Sequence, residues 1–387
     1  MWTAIHIIDI VLWVLMAPSV IYVAVFALAS VFHRRKKDYS TYQVKQSSFL
    51  VLFPAYKEDA VILYSVKQFL EQHYPKDHYH VAVISDHMQE STNEALKALP
   101  VTLHTVTYEK SSKAKALQYA IHHTEGVYDY VVILDADNIV MPEFLEQLNA
   151  SCQQGYQAIQ CHRCAKNSNN DIAVLDGTSE EINNTIFRKA HNTLRMSSAL
   201  IGSGMCFTFE WFCQHVDLLD SAVEDRELES FLLKENIYIK FEENIPVFDE
   251  KTSSQENFER QRLRWMNGQL QALLIMLPDI PHAIATGNIN FIDKTIQQAL
   301  IPRSILLVLI PVFGLIILLL APVWSIKWWV LFLVLCLSLY IAIPSQMRTG
   351  MVFAKLTSFP HLALRMIKNL FHLNKNNKEF FHTTHDK

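Results

Sequence analysis

Apolar residues crowd the two ends of this chain and are regularly interrupted in its middle. Residues 7–32 read IIDIVLWVLMAPSVIYVAVFALASVF, broken only by Asp9, Pro18 and a few small polar residues. A helix needs about 20 such residues to cross a bilayer, so this stretch predicts a transmembrane span. A signal peptide would carry basic residues ahead of a shorter apolar core. Here MWTAIH has none, and the basic run His33-Arg34-Arg35-Lys36-Lys37 follows instead. Positive charge gathers on the cytoplasmic side of membrane helices, which predicts an outer N-terminus and a cytoplasmic middle. Two further spans are expected at 304–323 and 328–343, joined by Trp324-Ser325-Ile326-Lys327 as an outer link. Trp324, Trp328 and Trp329 suit an aromatic belt there, Arg303 and Arg348 fall on the inner side, and Asp9 reads as interfacial.

Between about 46 and 290, short apolar runs alternate with helix-spaced stretches. Residues 48–53, 79–85, 101–106 and 130–134 read as buried strands, and 58–73, 89–99 and 111–124 as helices. Such alternation predicts an α/β fold with a parallel sheet. Ligands of these sheets bind beyond the carboxyl ends of the strands. The chain then divides into a span with its basic flank over 1–46, an α/β domain over 47–268, interfacial helices over 269–302, two spans over 303–346, and an interfacial helix and tail over 347–387.

Composition narrows the field. Only 19 % of residues are charged, below the roughly 25 % of soluble proteins, in keeping with a chain partly in lipid. A net charge of −4 lacks the basic surplus of nucleic-acid binders. Neither GxGxxG nor GxxxxGK[ST] occurs, which argues against a standard dinucleotide enzyme and a P-loop ATPase. Six cysteines are too few for a disulfide scaffold of this length, and Cys161-x-x-Cys164 has no suitably spaced second pair.

The strand ends carry the candidate chemistry. The first expected strand runs into Pro54-Ala55-Tyr56-Lys57-Glu58, the second into Asp86, and the fourth into Asp135-Ala136-Asp137-Asn138. Clustered carboxylates repel one another unless a cation sits among them. Hard oxygen donors of this kind suit Mg²⁺ or Mn²⁺ shared with substrate phosphates. An Asp-x-Asp alone also reads as a solvated loop; directly after Tyr130-Val131-Val132-Ile133-Leu134 the cleft reading gains weight. Lys113, opening the third expected helix, makes either an anion site or a solvated surface charge. Gly202-Ser203-Gly204 suits a tight turn close to a ligand. Glu224-Asp225 opens a helix, which the helix dipole favours by itself. Gln261, Arg264 and Trp265 share a helix face at i, i+3 and i+4, with Arg262 expected to point elsewhere. A guanidinium beside an indole suits a phosphorylated sugar, and an interfacial helix would use the same residues.

In chain order, Val51-Leu52-Phe53-Pro54-Ala55-Tyr56-Lys57-Glu58, Asp86, Leu134-Asp135-Ala136-Asp137, Glu224-Asp225 and Gln261-x-x-Arg264-Trp265 form a series. It resembles the D, DxD, ED, QxxRW series of membrane-embedded family 2 glycosyltransferases, the group of cellulose, chitin and hyaluronan synthases and ceramide glucosyltransferase. The resemblance implies a Rossmann-like GT-A fold and inverting transfer from a nucleotide sugar, usually UDP-linked. It implies that Pro54, Tyr56, Glu58 and Asp86 hold the uridine and that Lys113 lies near the nucleotide. Asp135 would contact donor sugar or ribose, and Asp137 would ligate Mg²⁺ or Mn²⁺. Asp225 matches the general base with Glu224 beside it, Gln261 and Arg264 the pyrophosphate contacts, and Trp265 the acceptor platform, with Gly202, Ser203 and Gly204 on the acceptor side. Val223 departs from the Thr that many relatives carry before Glu-Asp.

Inversion in one displacement needs a base for the acceptor hydroxyl and a positive clamp on the leaving diphosphate. The expected product is a growing β-linked poly- or oligosaccharide, with a single transfer to a membrane lipid as the alternative. Expected partners are a UDP-sugar, a glycan or glycolipid acceptor and the bilayer, and not nucleic acid. Three spans are few for a closed conduit, so a homo-oligomer or an export partner enters the expectation. The tail around Phe380-Phe381-His382 is expected to fold back near the QxxRW helix.

Overall fold

The computed structural model describes residues 2–32, 45–167, 170–221, 223–251 and 255–348; the basic run at 33–37 and the expected tail elements at 351–387 lie outside the described residues. Helix α1 (Trp2–Val31) precedes β1 (Phe49–Tyr56), α2 (Ile62–Phe69), β2 (Tyr79–Asp86), α3 (Glu90–Lys97), β3 (Thr102–Val106), α4 (Lys113–His123) and β4 (Tyr130–Ile133). These are the four expected strands and three expected helices. Helix α2 starts late because the Val61 and Ile62 N–H groups first close a turn on Glu58 O. Successive strand residues face opposite sides. Phe49, Val51 and Phe53 pack into one apolar layer, whereas Leu50 and Leu52 pack into the other.

The second half contains β5 (Ile139–Val140), α5 (Phe144–Cys152), β6 (Ala158–Ala165) and α6 (Asp171–Asn183). A π-helical stretch, Asn184–Lys189, continues α6 into α7 (Ala190–Thr193). Then come β7 (Met205–Thr208), α8 (Phe209–His215), α9 (Glu224–Lys234), β8 (Ile239–Asp249), α10 (Gln255–Met276), α11 (Ile280–Thr286) and α12 (Ile289–Ala299). The eight strands run in the order β3-β2-β1-β4-β7-β6-β8-β5. The expected parallel pairing runs unbroken from β3 to β4 and recurs between β6 and β8. Strand β7 lies antiparallel to both β4 and β6, because it enters the sheet from the carboxyl end of β4, with Met205 beside Ile133. The sheet is therefore mixed, and the turn before β7 sits on the ligand-binding edge.

Among the described residues, helices α1, α13 (Arg303–Leu320) and α14 (Pro322–Ala342) are the three that are long and apolar enough to cross a membrane. The expected link 324–327 lies inside α14. The break falls at Ala321, after which Pro322 starts the helix where its missing N–H costs nothing. Two other expectations are corrected here. Trp328 is buried, not belted at the surface, and its indole N–H donates to Asp9 Oδ1 at 2.7 Å. Asp9 is itself buried and takes Lys327 Nζ at 2.6 Å on its other oxygen. A carboxylate among apolar helices needs a cation and donors, and α14 supplies both. Met16, Val20, Leu306, Ile310, Leu331 and Leu335 join the spans in one cluster, into which Ile182, Ile186 and Ala190 of α6 to α7 also pack. The C-terminal half of α1 is pinned by Tyr22, whose hydroxyl donates to Asp293 of α12 at 2.8 Å and lies 3.0 Å from His191 Nε2.

Candidate active site

The order of β3, β2, β1 and β4 places the topological switch beside β1, where open sheets bind ligands. On the β1 to β2 side, Asp86 ends β2 and is buried. Its Oδ1 lies 2.6 Å from His87 Nδ1 and within 3.5 Å of the Tyr108 N–H. Tyr56 ends β1 with its ring edge-on to His87 at 5.6 Å. Lys57 and His87, the residues that follow the two strands, both hold positive φ, at 56° and 55°. The Lys57 N–H donates to Asp86 O, and the Glu58 N–H to Met88 Sδ. Pro54 pairs with Ile84 inside the sheet, one pleat behind this edge. Pro54, Tyr56, Glu58 and Asp86 thus occupy one corner, to which His87 and Tyr108 are additions.

On the other side of β1 the chain builds a charged cluster. Lys113, at the start of α4, bonds Asp135 at the end of β4, donates to Gly202 O at 2.5 Å, and lies 3.7 Å from Glu224 Oε1. Burial works against the lysine's charge, but Asp135 and Glu224 raise its pKa above the ordinary value. Burial likewise works against the Asp135 carboxylate, and Lys113 with Arg163 holds its pKa below normal. Glu224 is different: burial, reinforced by Asp225 and opposed by Lys113, pushes it up to about 7. Both members of the Glu224-Asp225 pair face Gly202, where an added Cβ would lie 3.8 Å from each carboxylate. Arg264 of α10 belongs to the same cluster: burial lowers its pKa, and Glu224, Asp135 and Asp225 oppose the shift. Gln261, one turn earlier on α10, has its Oε1 buried without a hydrogen-bond partner.

Asn138 organises the turn between β4 and β5. Its side-chain oxygen accepts from the Asp135 N–H at 2.9 Å and from the Ser203 hydroxyl, and its amide donates to Asp137 Oδ1 at 3.2 Å. Asp137 Oδ2 accepts the Glu250 N–H at 2.9 Å. A carboxylate fixed in this way offers the hard oxygen donors that suit Mg²⁺ or Mn²⁺. Behind it, Arg163 of β6 donates from Nε to Asp249 at 2.7 Å and from Nη1 to Ile201 O at 3.3 Å. Lys251 reaches Asp249 from the other side at 2.8 Å.

Two expected placements change. Ser203 is fully buried, its hydroxyl on Asn138 and its carbonyl on Gln160, and a Cβ at Gly204 would meet Val247 at 3.0 Å. Only Gly202 of that turn faces the carboxylates. Arg262 does not point away from Trp265: positions i and i+3 are neighbours on a helix, and its guanidinium lies 4.6 Å from the indole centroid. Asp176 of α6 anchors that guanidinium at 2.6 Å. One face of Trp265 is thus covered from within the protein.

The family described as glycosyltransferase like family 2 matches residues 46–268. No curated protein sequence matches this chain. Among solved structures, the mannosyltransferase PcManGT from Pyrobaculum calidifontis, in complex with GDP-Man and Mn²⁺, is similar with a TM-score of 0.54 and 15 % identity. The match covers 92 % of this chain and 96 % of that one. S. aureus TarS in complex with UDP-GlcNAc aligns with a TM-score of 0.45 and 14 % identity, over 83 % of this chain and 89 % of the other. The likeness to the mannosyltransferase, together with the family match, gives the GT-A fold. With a family match across the whole sheet domain, from before β1 to the end of the QxxRW motif and beyond it to residue 268, this chain belongs to the family 2 glycosyltransferases.

Proposed function

We propose that the chain transfers a sugar, with inversion, from a UDP-sugar to a growing β-linked poly- or oligosaccharide at the membrane face. The observation that carries this reading is the meeting of Lys113, Asp135 and Glu224-Asp225, brought from three separate elements to one cleft edge. In this reading Tyr56, Glu58 and Asp86, with Pro54 behind them, hold the base and ribose. Asp135 and Lys113 position the donor, and Gln261 and Arg264 face the diphosphate. Asp137 would hold Mg²⁺ or Mn²⁺ against that diphosphate; the ion would offset its negative charge as the bond to the sugar weakens. Asp225, at the first turn of α9, takes the proton of the attacking hydroxyl, and Glu224 sets the local charge beside it. The uncovered face of Trp265 serves as the acceptor platform.

The exposed apolar residues Leu274, Ile275, Leu277, Ile284, Ile289 and Ile296 on α10 to α12 support helices lying in the membrane interface over 269–302. The basic run after α1 supports a cytoplasmic catalytic domain. A second reading, a single transfer to a membrane lipid, is favoured by the close packing of α1, α13 and α14 around buried Trp328 and Leu335, which leaves one protomer's bundle filled.

Removing a general base costs about 10²–10⁴-fold in rate. Asp225→Asn should bind UDP normally and barely turn over; wild-type turnover would refute the base assignment. Mass and size analysis of products from a panel of UDP- and GDP-sugars separates the rest. A ladder of lengthening glycans is expected, and a single-sugar lipid alone in excess donor would replace the first reading with the second.

A further inference from the structure

Away from the donor cleft, β6 and α6 bring together three side chains that the sugar chemistry does not use. His162 and Cys164 alternate with Arg163 along β6, so they face the opposite side from the arginine that backs the cleft. Glu181 comes from the last turn of α6. The imidazole, thiol and carboxylate each offer a ligand atom within 4.8 Å of the others.

The imidazole's orientation is set by the sheet. Pairing between β6 and β8 slips after Cys161, which faces Glu242, so that His162 faces Pro246. The residues left over on β8 turn the Glu243 carbonyl onto His162 Nδ1 at 3.0 Å. A carbonyl only accepts, so Nδ1 carries a hydrogen, and Nε2 either presents a lone pair or carries a second hydrogen. Nε2 faces both oxygens of Glu181, at 3.1 and 3.0 Å. A ring nitrogen and a carboxylate this close hold a cation between them, either a metal ion or a proton. The Nδ1–H to carbonyl contact is also the support that metal-bound histidines commonly have.

We propose that His162, Cys164 and Glu181 form a second, structural site for a borderline-soft divalent metal of the zinc class. Nitrogen, sulfur and oxygen donors together select such an ion over Mg²⁺ or Mn²⁺. Zinc bonds of about 2.0–2.3 Å place ligand atoms about 3.3–3.8 Å apart; Nε2 and the Glu181 oxygens, now 3.0–3.1 Å apart, need to open by a few tenths of an ångström, and Cys164 Sγ to draw in by about 1 Å or less. Three protein ligands leave a fourth position for water. The ion would tie α6 to the β6 to β8 edge. Helix α6 also carries Asp176, which anchors Arg262 against Trp265, and Glu180, which pairs with Arg188. The competing occupant is a proton. Burial works against a charged ring, but Cys164 and Glu181 raise His162 to about 10.

Co²⁺ added to the purified full-length chain distinguishes these occupants. The chain would carry Asp137→Asn, so that the donor cleft does not contribute. One equivalent should bind with a thiolate-to-cobalt charge-transfer band and tetrahedral d–d bands, both bleached by Zn²⁺. Cys164→Ser and His162→Gln should abolish the charge-transfer band, and Cys161→Ser should keep it. Absence of the band in the folded parent, or its survival in Cys164→Ser, overturns the proposal and leaves the proton as occupant. Should either ligand variant fail to fold, zinc-edge X-ray absorption on the parent decides: a single sulfur scatterer at about 2.3 Å is expected, and a shell of light atoms alone overturns it.

Discussion

Gly268 of α10 packs directly on Val223, the residue before Glu224 and Asp225: a Cβ at position 268 would lie 2.5 Å from Val223 Cγ1. The helix that carries Gln261, Arg264 and Trp265 therefore approaches the start of α9 to a distance that only glycine allows. The motif halves are held in register by this contact, which lies outside both motifs.

Gly268→Ala is expected to push α10 away from α9. Overpacking of this kind costs about 1–3 kcal/mol, and the proposed carboxylate–arginine geometry should suffer with it. Turnover should fall at least tenfold with donor KM little changed. Val223→Ala removes the clashing methyls and should restore most of the rate in the double variant. Failure of that rescue would show that the glycine matters for another reason.

Glu224 gives the fold a pH dependence whose sign follows from its raised pKa. Burial, with Asp225 adding and Lys113 opposing, lifts the carboxyl from 4.5 to about 7. Between those values the folded protein binds a proton that the unfolded chain has lost, so stability falls as pH rises through this window. At about 1.4 kcal/mol per unit, the drop is about 3 kcal/mol. Glu224→Gln should flatten this part of the Tm profile, as read by thermal unfolding in detergent from pH 4.5 to 7.5. An unchanged slope would place the titrating group elsewhere.

Lys113 is the cation shared by Asp135, Glu224 and the Gly202 carbonyl. Lys113→Met should raise donor KM more than tenfold. It should also extend the Tm decline to higher pH, because a carboxyl that loses a nearby cation titrates later. Both readouts should recover in part in Lys113→Arg. A variant that binds donor normally would remove the lysine from the nucleotide site.

Much of this was legible in the sequence because it is locally encoded. A continuous apolar run announces a span, and a carboxylate after Tyr130-Val131-Val132-Ile133 announces a strand end on a ligand edge. What escaped is encoded by pairing. Arg163 meets Asp249 across 86 residues, only because β6 lies beside β8, and neither belongs to a motif. Asn138 reads as the tail of Asp-x-Asp, yet it ties Asp135, Asp137 and Ser203 together. Strand β7 has four residues and no periodicity of its own, so its antiparallel direction is fixed by where the Gly202 turn reaches the sheet edge. Asp9 looked interfacial because hydropathy measures distance along one helix and says nothing of a lysine on another.

That last pair makes an asymmetric prediction. Asp9 is almost fully buried, its carboxylate held by Lys327 and the Trp328 indole, whereas Lys327 keeps about a quarter of its side chain exposed. Removing one partner of a buried pair costs about 3–5 kcal/mol when the remaining charge has nowhere to go. Lys327→Met leaves such a charge, with only the Trp328 N–H to stabilise it. Asp9→Asn leaves an ammonium on a flexible stem that can reach water at the membrane edge, and Asn still accepts from Trp328. Lys327→Met should therefore lower the unfolding temperature in detergent markedly, and Asp9→Asn only slightly. The double variant should return close to wild type, since it removes the charge along with its partner. Equal losses from the two single variants would mean that Lys327 is as confined as Asp9, and a double variant as weak as Lys327→Met would mean that the cost is packing and not charge.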